Sequence, residues 1–475
     1  MFKNINIFRS IIAILIIFIP LYPKFPLTNV TGTYVAIRMD DIVIAIAIAV
    51  WGIYQLWKKF PFAKLKINRL FLIYFLAIIT TTVNAIFVYQ TEPTNILILH
   101  MLRRFEYMSL FFITVSAIKS VKDLYFPYIL LLLTTALVDV YGYGQKYFHF
   151  PVISTMNSEF SKGQLLTLDI WTRVSSTFAG HYDLAAYMSV ALIIIGVVSI
   201  VIKNKFLKIS GLIIWLISFQ ILTLTASRVS IFAFWGGISI TLIILRKYLW
   251  VIPITLLVVF SIFNSKDLNQ RLIATIPALK TQLAFLERST GGDSTLTPTP
   301  TPIIKTIVST DSGKGTGLNV NEPTPTPMLR HSLPDQQVPI DADVGVARSG
   351  EIRFNVEWPR AITAFQKNIL LGTGLGSLTL ATDNDYLRCL GESGLLGFIS
   401  FLAIQLYFII KSIPLFFKKQ IETSGIVCII LLGCQLTTLA NAVFIDVFEA
   451  SKTAYLFWIM MGIFYQSLQL NKNKK

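Results

Sequence analysis

Arg228 is the residue of this sequence whose position most demands a chemical reason. It stands in TLTASRVSIF, at a turn between two apolar stretches with almost no loop to solvate a guanidinium. An ionisable group at such a place is a functional-site candidate; the competing explanation is an arginine that snorkels to lipid headgroups. Arg103 and Arg104 lie inside another apolar stretch, and Glu106, three residues beyond Arg103, shares its helix face. That spacing predicts a structural ion pair for Arg103 and leaves Arg104 spare. His181 and Asp183, in RVSSTFAGHYDLAAYM, open a third apolar run. Asp183 has the type and place of a helix-capping carboxylate, while His181 is open to a structural or a chemical role.

A further set lies between 353 and 392. Asp383 and Asp385 have the spacing of a carboxylate pair able to hold a divalent cation. Asx clusters in loops are also turn formers, and no metal is expected here. Gly372, Gly374 and Gly376 superficially match a phosphate-binding fingerprint. No strand pattern precedes them, so a turn between two helices suits them better. His100, His149 and His331 show no ligand-like spacing, and the three cysteines (Cys389, Cys428, Cys434) form neither a disulfide framework nor a metal motif.

The elements that must position these residues are membrane spans. Hydrophobic residues make up 54% of the 475-residue chain and charged ones 14%. Apolar stretches of roughly 17–25 residues recur, the length that crosses about 30 Å of hydrocarbon as a helix. The expected spans are 5–22, 41–57, 70–90, 96–118, 124–145, 183–202, 207–225, 229–245, 248–264, 393–411, 421–445 and 452–469. The fold class is thus an all-α integral membrane protein of about 12 transmembrane helices, with one large extracytoplasmic loop between helices 9 and 10.

The net charge of +16 reports topology rather than a nucleic-acid partner. Residues 265–390 carry 12 Lys/Arg against 12 Asp/Glu, so the excess lies in the membrane part. There Lys58, Lys59, Lys64, Lys66 and Arg69, then Lys119 and Lys122, Lys203 to Lys208, Arg246 and Lys247, Lys411 to Lys419 and the terminal lysines alternate with basic-poor connections. By the positive-inside rule both termini are cytoplasmic and the large loop is outside. The N-terminal apolar segment ends in LYPKFPL without a small-residue cleavage site, and reads as a retained helix.

Three parts follow: residues 1–264 with helices 1–9, the loop 265–390, and 391–475 with helices 10–12 and a cytoplasmic tail. Within the loop, 289–348 contains TPTPTP and PTPTP among many Gly, Ser and Asp, the composition of a flexible tether. From 351 to 390 the pattern becomes that of an ordered segment. Ile352, Val356, Ala361, Ile362 and Phe365 make an amphipathic stripe interrupted by Pro359, followed by the GTGLG turn.

Three segments together resemble the O-antigen ligase and O-antigen polymerase family of bacterial membrane glycosyltransferases. STFAGHYDLAAYM is similar to the family's Gly-Thr-Phe…Asn-x-Leu-Ala segment, and LTASRVS to its Thr-x-Ser-Arg-Gly turn. The third segment runs from Arg353 and Trp358 through LLGTGLG to DNDYLRCLGESGLLG. The resemblance covers roughly residues 170–400; the first five spans match only in character.

The resemblance implies an enzyme of the bacterial cytoplasmic membrane, working on its outer face without metal or other cofactor. It would move a glycan from a polyprenyl-diphosphate carrier to a hydroxyl on a glycan, lipid or protein acceptor. Negative charge grows on the diphosphate as the glycosidic bond breaks, and guanidinium forks fit phosphate geometry without losing their protons. Arg228 is placed there by the resemblance, with Arg353 or Arg360 and Arg173 assisting. Asn384, Tyr386, Trp358 and Asp183 would support the site. The acceptor hydroxyl needs a base. Where the family commonly has His-Asn before Asp-Tyr-Leu, this chain has Asp383-Asn384, so Asp383 or His181 carries that role. Glu392 matches the family's acidic residue, as a catalytic group or as the N-cap of the tenth helix. Val229 replaces a usual glycine.

Two other classes fit parts of the sequence. A twelve-helix flippase or polysaccharide transporter would show repeat-related halves, and none is visible. A surface-tethered receptor would need no buried charges.

Overall fold

A computed structural model describes residues 6–23, 25–29, 36–152, 166–167, 173–265, 352–378 and 382–472. The expected tether at 289–348 lies outside them. The helices are α1 (Ile7–Leu21), α2 (Met39–Trp57), α3 (Asn68–Asn84, continued by a π-turn to Tyr89), α4 (Thr94–Ala117), α5 (Tyr125–Tyr147) and α6 (His181–Val201). Then come α7 (Lys205–Leu224), α8 (Arg228–Ile244), α9 (Val251–Asn264), the short α10 (Trp358–Lys367), α11 (Asp385–Phe416), α12 (Thr423–Asn441) and α13 (Ser451–Lys472). The described strands form two small antiparallel pairs, 26–29 with 36–38 and 151–152 with 166–167.

Among the described residues a helix corresponds to each of the twelve expected spans. Seven stretches are long and apolar enough to cross a membrane, namely those of α2, α3, α5, α6, α7, α11 and α12. Helices α1, α8 and α9 are apolar but shorter. The protein is therefore an α-helical chain with the spans of a membrane protein.

Helices α6 and α12 are the most enclosed of the seven, and α2 the least. Small residues let backbones approach at the centre: a Cβ on Gly237 of α8 would meet the Gly433 carbonyl of α12 at 3.0 Å, and the converse holds. At one end of these helices Asn441 Nδ2 donates to Ser189 on α6, and Ser230 on α8 donates to Asn441 Oδ1 at 2.8 Å. The segment before α6 packs across the same end. Thr177 Oγ1 donates to the Pro20 carbonyl, and buried Lys452, in the first turn of α13, donates to the carbonyls of Pro20 and Thr177.

The tenth span starts earlier than its hydropathy indicates. Its helix begins at Asp385 rather than 393, capped by Asn384, whose Oδ1 accepts from the N–H groups of Tyr386 and Leu387. Glu392 is thus inside α11 and is not its N-cap. Apolarity could not reveal these first two turns, because their polar residues are buried against partners from distant segments.

Helix α11 breaks at Gly394 (φ 61°, ψ −166°), a conformation open essentially to glycine. The GTGLG turn supplies the missing hydrogen bonds. Thr373 and Gly374 N–H donate to the carbonyls of Gly391 and Glu392 at 2.9 Å, while Leu395 and Leu396 N–H donate to Ile369 and Leu370. Gly372, Gly374 and Gly376 all have positive φ, and a Cβ on Gly372 would sit 2.5 Å from the Glu392 backbone. These glycines serve close backbone approach.

The amphipathic stripe expected over 352–365 holds at Ala361 but not at its other aliphatic positions. Ile352, Val356 and Ile362 are exposed, and Ala361 and Ala364 are the buried face, packed with Leu378 and Leu387. Between Ile352 and α10 lies a π-turn, Arg353–Glu357, closed by Trp358 N–H donating to the Arg353 carbonyl. Its wider winding rotates everything that follows. Pro359 falls in the first turn of α10, where its missing N–H costs nothing.

Candidate functional site

The site is built around the first turn of α6. Tyr182 accepts hydrogen bonds from Arg353 and Arg173. Both guanidiniums also lie over its ring, at 5.8 Å for Arg353 and 5.9 Å for Arg173. Arg228 interacts electrostatically with the same tyrosine and with both arginines. Three cations from segments 173–180, 225–228 and 352–357 thus meet at one place. Like charges brought together repel, so an anion entering this place would be stabilised.

Local chemistry places each arginine. Arg228 opens α8 after a turn in which Ala226 has φ 50°. There Thr225 Oγ1 donates to the Leu222 carbonyl and Ser227 Oγ to Ser230 Oγ. Arg173 lies 2.5 Å from His181 (Nη1 to Nε2). Arginine only donates, so His181 accepts at Nε2 and carries its ring proton on Nδ1. Gly180, not Asp183, occupies the cap position of α6; Asp183 stands in the first turn, where a carboxylate meets the positive end of the helix dipole.

Arg353 is fixed from the other side. Its Nε and Nη2 both reach Asp383 Oδ2, at 2.8 and 2.7 Å. Asp383 has φ 50°, an uncommon conformation for a residue other than glycine, and its neighbours are pinned. Asp446, in the turn between α12 and α13, accepts from Thr382 N–H at 2.9 Å and Asn384 N–H at 3.1 Å. Burial lifts the Asp383 carboxyl above the usual carboxylate range, although Arg353 pulls it down. Asp385 points elsewhere and accepts from Phe448 N–H at 3.0 Å, so the two carboxylates do not act as a cation pair.

Glu392 belongs to a separate, buried ion network. Arg388 contacts Glu392 (3.2 Å), Asp446 (3.0 Å) and Glu449 (3.7 Å), and donates to the Leu378 carbonyl at 2.8 Å. Arg104 bonds Glu449 and lies 3.8 Å from Glu392, so it is not spare. Arg103 pairs with Asp41 at 3.9 Å, while the Glu106 carboxylate takes the Tyr455 hydroxyl at 2.9 Å. The expected pairing of Arg103 with Glu106 gives way to partners on α2 and α13. Glu392, only 2% exposed, has a structural setting.

The supporting residues hold elements together. Tyr386 donates to the Leu439 carbonyl at 2.7 Å, tying α11 to α12. Trp358 packs edge-on to Phe354 at 4.5 Å and against Phe444 at 6.1 Å. Arg360 interacts with Glu357 rather than joining the three arginines at Tyr182. Sequence reasoning missed Tyr182, Asp446, Arg388 and Glu357. Tyr182 lies inside a quoted motif, between His181 and Asp183, and reads there as an ordinary helix aromatic. Asp446 and Arg388 take their meaning from partners far away in the chain. A groove of about 1070 Å³ between α2, α3 and α4 includes Asp41, Arg103 and Glu106 in its lining, not the three arginines.

No protein-family model matches this chain, and no curated protein matches it.

Proposed function

We propose that the protein is a membrane glycosyltransferase that moves a polyprenyl-diphosphate-linked glycan to a hydroxyl acceptor on the outer face of the bacterial cytoplasmic membrane. The observation that carries this reading is the meeting of Arg173, Arg228 and Arg353 around Tyr182. Three guanidiniums suit the charge and fork geometry of a diphosphate leaving group, which gains charge as the bond to the sugar breaks. Of the three segments that resemble the O-antigen ligase and polymerase family, the first contributes Tyr182, the second Arg228 and the third Arg353 and Asp383, while Arg173 lies just before the first. In the proposed orientation both termini are cytoplasmic, and the arginine end of the bundle faces outward.

The test uses purified protein in detergent with lipid-linked donor and an acceptor. A new glycosidic bond formed without a sealed compartment excludes pure transport. Arg228→Ala is expected to lower transfer by at least 100-fold, on the order of about 3 kcal/mol of transition-state stabilisation, while the protein stays monodisperse. Wild-type rates in that variant reject the leaving-group role. A ladder of repeat lengths among the products marks a polymerase, and a single transfer marks a ligase.

A further inference from the structure

We infer that Glu357 is the proton acceptor for the incoming hydroxyl, acting beside Arg353 at the same centre. The inference rests on the transferase reading above. Glu357 ends the π-turn that Arg353 begins, so the carboxylate and the guanidinium share one stretch of helix surface. The Glu357 Oε2 atom is buried and makes no hydrogen bond among the described residues. The same is true of Thr382 Oγ1, next to Asp383. A buried oxygen with no donor is costly. Two such atoms flank the Arg353–Asp383 pair in sequence, and a ligand hydroxyl is the group that would satisfy the carboxylate.

The charged groups acting on Glu357 are Asp383, Arg353, Asp446 and Arg360. Burial and the charge of Asp383 lift its carboxyl to about 7, so it is partly ionised near neutral pH, where a general base is most effective. Both residues that the sequence offered for this role are already engaged. Asp383 gives Oδ2 to Arg353 twice, and His181 gives Nε2 to Arg173.

In the step itself the acceptor oxygen bonds to the anomeric carbon as that carbon's bond to the diphosphate oxygen breaks. The electron pair leaves with the diphosphate toward Arg173, Arg228 and Arg353. The hydroxyl proton moves to Glu357 Oε2 and is later released to water. Asp383 is then a positioning residue for Arg353, held in turn by Asp446.

Wild type, Glu357→Gln, Glu357→Asp and Asp383→Asn should be compared in detergent. The donor is a polyprenyl-diphosphate-linked oligosaccharide, and the acceptor is the same oligosaccharide, reduced and free of lipid. Glu357→Gln is expected to lower kcat about 10²–10⁴-fold, leave the donor KM within about twofold, and remove the acidic limb of the kcat–pH profile. Glu357→Asp keeps the limb with a shifted midpoint, and Asp383→Asn raises the donor KM while the limb stays. An active wild type with unchanged kcat and limb in Glu357→Gln overturns this inference alone. If Glu357→Gln is not monodisperse, an unshifted limb in Glu357→Asp overturns it. Wild type that forms no glycosidic bond overturns the transferase reading and this inference with it.

Discussion

Arginines in this protein occupy two different settings. Arg104 and Arg388 are buried among the carboxylates of Glu392, Asp446 and Glu449. Arg173, Arg228 and Arg353 meet one another around a phenol. Placement beside apolar runs singled out Arg228, while Arg173 and Arg353 came only from the family resemblance; Arg104 is paired rather than spare, and Glu392 is not a helix cap. An i,i+3 or i,i+4 rule sees only partners on one helix, whereas Arg103, Arg104 and Arg388 all reach to other elements. Glu357 yields a stability prediction that needs no substrate. Its carboxyl sits at about 7 in the folded protein against 4.5 for an unperturbed glutamate. Between those values the folded state binds more protons than the unfolded one, so stability falls as pH rises through that window. Glu357→Gln is therefore expected to leave the thermal midpoint unchanged at pH 4 and to raise it above pH 7. A melting series across that range checks it; equal midpoints for the two proteins at high pH reject the assignment.

At the scale of elements, hydropathy located the helices because burial in lipid demands apolar length, and that demand is visible residue by residue. It missed the first turns of α11, where bonds to distant segments replace apolar burial, and the π-turn at Arg353–Glu357, whose winding departs from the 3.6-residue period. Gly394 is the point on which the packing of α11 against the GTGLG turn depends. A Cβ there would lie 2.4 Å from the Leu370 carbonyl group, and the backbone conformation alone costs an alanine about 1–3 kcal/mol. Gly394→Ala is expected to lower the thermal midpoint sharply or prevent recovery of monodisperse protein. Gly52→Ala on α2, where nothing lies within 4 Å, is expected to change it little. Similar melting curves for the two variants count against the kink as the support of the GTGLG turn.

For the whole molecule, orientation is the property most directly tested. The alternation of basic and basic-poor connections predicts that Lys418 lies inside the cell and Lys367 outside. Of the three native cysteines, Cys428 and Cys434 are buried and Cys389 is partly so, and all three are replaced by serine before labelling. A cysteine at 367 should then react with an impermeant maleimide in intact cells, and one at 418 only after permeabilisation. The reverse pattern inverts the topology. The charge pattern bears on orientation because it is a property of the whole chain, while the long-range contacts of the site are not written locally anywhere.

The bond from Asp446 to the residues flanking Asp383 has a practical consequence. Between positions 265 and 390 the polypeptide looks, in one dimension, like a piece to be excised and studied in water. Yet its closing turn is anchored by a carboxylate more than fifty positions downstream, and its glycine turn completes the backbone of a helix that enters the bilayer. A soluble fragment of that region would lose the anchors that shape it, so inhibitors and antibodies against this centre have to be selected on the intact membrane-embedded chain.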